Sequence, residues 1–117
     1  MVLLEHRVSG DAVHLDWMIA RSPEGPLASW RVPAWPSLGA VIDGLEPIGD
    51  HDRRWLTTQG PVSGDRGAAI LLDTGLLLAR TPTPSGWSLH LLWHTNGPQQ
   101  VLLSSSAEGW SLGCAAR

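Results

Sequence analysis

A chain of 117 residues with a hydrophobic fraction of 43% is long enough for one core and too short for a separate substrate domain. Its 13 glycines and 9 prolines read as turns between short strands, and the apolar content excludes a disordered chain. The formal net charge of −3, with arginine supplying all 8 fixed cations, excludes a broad basic face for coating nucleic acid but not a local arginine pocket for one phosphate.

In chain order, Val2 to Arg7 reads as a short strand, Ser9-Gly10-Asp11 as a hairpin loop, and Ala12 to Ala20 as the second strand. Ser22-Pro23-Glu24-Gly25-Pro26 breaks the pattern, and Leu27 to Val32 forms a further strand stopped by Pro33. Val41 and Ile42 are apolar, Asp43-Gly44 is a turn signal, and Glu46 to Arg54 is charged without a clear period. By composition, Asp50-His51-Asp52-Arg53-Arg54 is a solvated loop or the start of a helix. The glycine-rich segment from Gly60 to Gly67 is a long turn that lacks the spacing and the lysine of a phosphate loop. Asp73-Thr74-Gly75 is a hairpin signal between Ala68–Asp73 and Leu76–Arg80.

From Trp87 to His94 the residues alternate, with Trp87, Leu89, Leu91 and Trp93 on a core face and Ser88, His90, Leu92 and His94 on a more polar one. Asn96-Gly97 turns into a strand from Gln99 to Ser104, and Trp110 to Cys114 is the last strand, leaving the single cysteine as a half-buried thiol. Six to eight strands with short connections and little helix predict a mainly β, single-domain antiparallel β-barrel over residues 1–117. All 7 aromatic residues are tryptophans, and Trp17, Trp35 and Trp55 leave open an exposed aromatic patch for bases or a protein. Val2-Leu3-Leu4 is too short for a signal segment and no run approaches a membrane span, so a cytoplasmic protein with no membrane contact is expected.

The most suggestive chemistry lies between Glu5 and Ile19. In an extended strand His14 and Asp16 share a face. A hairpin centred on Gly10 sets His6 opposite His14, so that His6, His14 and Asp16 converge. Two imidazoles and a carboxylate suit Mn, Fe or Zn with positions left for water or substrate. The plain alternative is two ordinary histidines with local hydrogen bonds.

These residues also carry a resemblance. Glu5-His6, His14-Leu15-Asp16, Leu27-Ala28-Ser29-Trp30-Arg31-Val32-Pro33 with Pro36-Ser37, Asp50-His51, Gly60-Pro61 through Gly64 and Gly67, and Asp73-Thr74-Gly75 stand in the order and approximate spacing of a known pattern. From about Leu4 to Gly75 the chain resembles the N-terminal 3′-phosphoesterase domain of bacterial DNA ligase D, and more closely the short stand-alone bacterial relatives of that domain. The resemblance implies a compact β-barrel whose two histidines and aspartate bind a divalent metal, Mn2+ foremost and Zn2+ as the alternative, to process DNA 3′ ends in repair. It implies His6, His14 and Asp16 as metal ligands and His51 as a contact to the scissile phosphate.

The chain departs from the pattern at the phosphate clamp. Met18 stands where the phosphoesterase has an arginine, Trp55 near a tyrosine, and Asp43 near another arginine. The interval between His6 and His14 is also two residues longer than in the ligase domains. Phosphoryl transfer needs its developing charge neutralised, and Arg53 or Arg66 is the expected replacement guanidinium. Two functions follow as expectations. One is a metal-dependent phosphoesterase acting on a nucleic-acid end or a small phosphate ester, with a DNA ligase or polymerase as partner. The other is a catalytically inactive barrel that binds a nucleic-acid end or a protein.

Overall fold

The computed structural model describes residues 1–7, 13–20, 25–51, 60–61 and 68–115, with the backbone alone for residues 51, 60, 61 and 68. Among them are nine strands and no helix: β1 (Val2–Arg7), β2 (Val13–Ala20), β3 (Leu27–Val32), β4 (Val41–His51), β5 (Gly60–Pro61), β6 (Ala68–Thr83), β7 (Gly86–Trp93), β8 (Gly97–Ser106) and β9 (Gly109–Cys114). They form one antiparallel sheet in the order β1-β2-β3-β4-β9-β8-β7-β6-β5, and β1 also pairs with β6. That last pairing closes eight of the strands into a ring, with β5 attached outside it along β6. The predicted all-strand, barrel-like class is the one observed. No helix among the described residues is long and apolar enough to cross a membrane.

Two long strands make the corners. The later part of β4 pairs with β3 and its earlier part with β9. Likewise β6 pairs with β1 up to Thr74 and with β7 from Gly75 onward. The sequence signals at these corners are Asp43-Gly44 and Asp73-Thr74-Gly75, both predicted to reverse or interrupt the chain; neither does. The register slips between Asp43 and Leu45, and Gly44 takes a φ of 80°, so the glycine allows a bulge that bends one strand. At the other corner a Cβ on Gly75 would lie 2.3 Å from the Leu92 carbonyl oxygen, so glycine there permits close backbone approach. The charged segment predicted as loop or helix start accordingly begins inside a strand, because β4 runs on through Asp50 and His51.

The sheet interior holds Leu3, Trp17, Ile19, Val32, Leu45, Leu89, Leu91, Trp93, Val101, Leu103 and Leu112. Leu89, Leu91 and Trp93 are buried and His90, Leu92 and His94 exposed, as the alternation in that segment predicts. Trp17 is 0% exposed, and Trp35 packs edge-on against both Trp17 and Trp93 at 5.1 and 5.4 Å. The Gln99 Oε1 accepts hydrogen bonds from the indole N–H groups of Trp35 and Trp93. These contacts withdraw Trp17 and Trp35 from the expected surface patch; Trp55 lies outside the described residues. Gln99 also donates from Nε2 to the Cys114 Sγ, and the thiol is buried and not half-exposed.

On β1 and β2 the opposite face is buried as well. Val2, Leu4, Met18, Leu27 and Ala69 form a second, smaller apolar cluster. It is on this face, outside the main core, that the titratable residues of the first two strands stand.

Candidate metal centre

The β1–β2 register sets His6 opposite His14 and Leu4 opposite Asp16. Because side chains alternate along a strand, His6, His14, Asp16, Leu4 and Met18 all emerge on the face of the smaller cluster. The two imidazole rings meet edge-on with centroids 4.9 Å apart. Asp16 completes the group, with Oδ2 3.6 Å from His6 Nδ1 and Oδ1 3.4 Å from His14 Nε2. One donor atom from each of the three residues falls within a span of 4.8 Å.

The polar atoms of this group are under-satisfied. Asp16 is 8% exposed, yet its Oδ1 and the facing His14 Nε2 are both shielded from solvent and neither makes a hydrogen bond. Burial holds the His14 imidazole below its ordinary value; Asp16 opposes that shift, while the nearby Arg31 and His6 add to it. A cation shared by these two atoms would give both of them a partner.

The spacing fits a cation too. Two ligand atoms about 2.1 Å from one ion at a tetrahedral angle lie about 3.4 Å apart, close to the two histidine–aspartate separations here. His6, His14 and Asp16 therefore suit a divalent metal on three grounds: donor chemistry, convergence, and the orphaned pair of atoms.

A fourth residue belongs to this face and was not marked by the sequence. Arg31 on β3 is in register with Asp16 on one side and with Glu46 of β4 on the other. It is half-buried, its Nε is shielded and unbonded, and its charge reaches His14. Met18, where the resembled phosphoesterase pattern has an arginine, is 2% exposed within the apolar cluster. The signal that could have revealed Arg31 is the β2–β3 register, and the Pro- and Gly-rich connection hides it.

The side chains of the other expected site residues, His51, Arg53 and Arg66, lie outside the described residues. The backbone of His51 is opposite Leu27, which in turn faces Ala20. That row is four residues along β2 from Asp16, or about 13 Å. Arg53 and Arg66, the expected replacement guanidiniums, lie outside the described residues, as does the Ser9-Gly10-Asp11 loop.

A second buried carboxylate, Asp73, has a different environment. Its Oδ1 accepts from the backbone N–H groups of Thr74 and Thr95, and its Oδ2 from the backbone and side-chain amides of Asn96. Burial raises the Asp73 carboxyl, but these four donors outweigh it and leave the group below the usual carboxylate range. Asp73 thereby ties the corner of β6 to the turn between β7 and β8.

No protein-family model and no curated protein matches this chain.

Proposed function

We propose that the protein is a divalent-metal-dependent phosphoesterase, with Mn2+ as its metal and Zn2+ as the alternative, acting on a phosphate ester at the 3′ end of a nucleic acid in DNA repair. The observation that carries the reading is the convergence of His6, His14 and Asp16 around two facing buried atoms, His14 Nε2 and Asp16 Oδ1, that have no hydrogen-bond partner. When bound, the ion supplies a Lewis acid for a phosphoryl oxygen and lowers the pKa of a water. The chain's own residues do the rest of the positioning. Asp16 presents one oxygen toward each imidazole and so fixes the orientation of both rings, while the apolar cluster of Val2, Leu4, Met18 and Leu27 alongside keeps the face poor in competing water. In this reading His51 donates to the phosphate or acts as general acid, a role supplied by the resemblance to the ligase D domain. The substrate would be presented by a ligase or polymerase partner in the cytoplasm, because the acidic chain lacks the charge to hold long duplex DNA alone.

The test is Mn2+ and Zn2+ titration of the full chain against His14→Ala by calorimetry, alongside turnover of a 3′-phosphate oligonucleotide. Micromolar binding that disappears in the variant, together with phosphate release, is the expected result. A wild-type protein that binds neither ion sinks the proposal.

One observation favours the second reading, a non-enzymatic interaction module. Leu76 and Leu92 are directly opposed on β6 and β7, and Leu76, Leu78 and Leu102 are 61%, 58% and 44% exposed on that side of the sheet. Metal binding without turnover of any phosphate ester, combined with self-association lost in Leu76→Ser, would select it.

A further inference from the structure

We propose that one end of the strand ring is a binding site for a small aromatic carboxylate, with the ligand's ring held among Trp30, Trp87 and Trp110 and its carboxylate on Arg80. The site lies on the core side of the sheet, whereas His6, His14 and Asp16 emerge on the other side, so the inference is independent of the metal reading.

The site is built where β2, β4, β6 and β8 finish and β3, β7 and β9 begin. A cavity of about 170 Å³ sits there. Buried Ile19, Leu89 and Leu103 form its floor, and the half-buried indoles of Trp30, Trp87 and Trp110 form its walls. Trp30 and Trp110 meet edge-on with ring centroids 4.9 Å apart. Among the described residues Arg80, exposed at the rim, is the only charged side chain that lines the cavity. The mouth of a closed sheet is a usual place for a small-molecule pocket.

Arg80 faces this way because of a bulge. Leu77 is opposite Leu91 and Arg80 opposite Leu89, so three steps along β6 match two along β7, with the slip between Leu77 and Ala79. In a regular strand, residues three apart face opposite ways. The extra residue reverses that, leaving Leu78 58% exposed and turning Arg80 to the side of Leu77 and Leu89. Bulges re-aim side chains in this manner beside functional sites. The guanidinium carbon then stands 5.0 Å from the centre of the Trp87 ring, a cation–π contact that fixes its position. Among the described residues no carboxylate forms an ion pair with it. The acidic residues described at this end are Asp50, across from Ala28 on β4, and Glu108, in the turn from β8 to β9. Both are exposed and neither lines the cavity; Asp50 already has an interaction of its own.

These features select the ligand. The walls take an apolar body, and edge-on indoles suit a flat ring that can pack against an edge or a face. An apolar cavity of about 150 Å³ accepts one benzene molecule, so the space here is that of a single aromatic ring. A guanidinium seated over an indole keeps its in-plane N–H donors, whose fork matches the paired oxygens of a carboxylate. The same guanidinium repels an ammonium group.

The probe is benzoate, titrated into the full chain in metal-free buffer by calorimetry, with the indole N–H signals of the 7 tryptophans followed by nuclear magnetic resonance. Benzyl alcohol, benzylammonium and phenyl phosphate are the neutral, cationic and dianionic comparisons. Wild type is expected to bind benzoate saturably, at least about tenfold more tightly than benzyl alcohol or benzylammonium and more tightly than phenyl phosphate. The signals of Trp30, Trp87 and Trp110 should shift, while those of Trp35 and Trp93, held by Gln99 in the other aromatic group, stay in place. Arg80→Gln should weaken benzoate at least about tenfold and leave benzyl alcohol within about threefold of wild type. No saturable binding to wild type, a preference for any of the three comparison compounds, or unmoved signals from Trp30, Trp87 and Trp110 overturns the assignment. Equal benzoate affinity in wild type and Arg80→Gln also overturns it, leaving Arg80 as a cover for the Trp87 ring. If Arg80→Gln does not fold, Ala28→Leu decides, because it fills the cavity and keeps Arg80. Benzoate affinity reduced at least about tenfold in that variant upholds the site, and unchanged affinity overturns it.

Discussion

Asp16 and Asp73 are both buried carboxylates on paired strands, 8% and 5% exposed, and they have opposite surroundings. Asp73 receives four N–H donors, from the backbones of Thr74, Thr95 and Asn96 and from the Asn96 side chain, so its charge is met from within the fold. Asp16 faces two imidazoles and still has an oxygen with no hydrogen bond. Burial alone does not separate an acid satisfied within the fold from one left open to a ligand; the completeness of its hydrogen bonding does.

Exchanging the two environments by mutation should split stability from binding. The largest effect is expected for Asp73→Ala, which leaves the Thr95 and Asn96 amides without their acceptor and should cost about 3–4 kcal/mol of folding stability, read by urea unfolding, with Mn2+ affinity unchanged. A loss below about 1 kcal/mol would mean that water replaces the carboxylate freely. Next is His14→Ala, which should weaken Mn2+ binding by about 100-fold, or about 2.7 kcal/mol, while the urea midpoint stays within error. Acid titration tests the same contrast without mutating the site. The folded Asp73 group sits below its unfolded value, so its contribution is complete above the ordinary carboxylate pKa and disappears as pH falls through the lowered folded one. In Asp73→Asn that part of the acid limb should flatten. The smallest change is expected for Asp16→Asn in metal-free protein, within about 1 kcal/mol of wild type, since a carboxylate this poorly satisfied gives little to the fold; a large destabilisation there would make Asp16 structural after all.

The first hairpin was legible because two rules coincide in it. A glycine at the loop centre and the two-residue period of a strand together place His6 opposite His14, and that pair is in register in the structure. The segment from Trp87 to His94 was legible for the same reason, through alternation alone. The corners were not. A glycine after an aspartate marks a reversal in a hairpin and a bulge in a long strand, and no local feature of Asp43-Gly44 or Asp73-Thr74-Gly75 distinguishes the two; pairing partners distant in sequence decide it. Arg31 was hidden in another way. Its strand was recognised, but its neighbour across the sheet depends on how the connection ahead of Leu27 sets the register, and prolines in that stretch remove the period from which register is read. Gln99 likewise gave no sign that its amide would join Trp35, Trp93 and Cys114.

Ring closure sets the order in which this protein can be completed during synthesis. Of the nine strands β1 is made first, and its second partner, β6, follows more than sixty residues later. Until then the β1–β2 hairpin has an open edge, and a lone hairpin is marginal in water. Pairings this distant are slow to form, and an unfilled edge invites the β6 of another copy in place of the chain's own. The three candidate ligands occupy the first sixteen residues, yet they acquire a fixed arrangement only when most of the chain has been made.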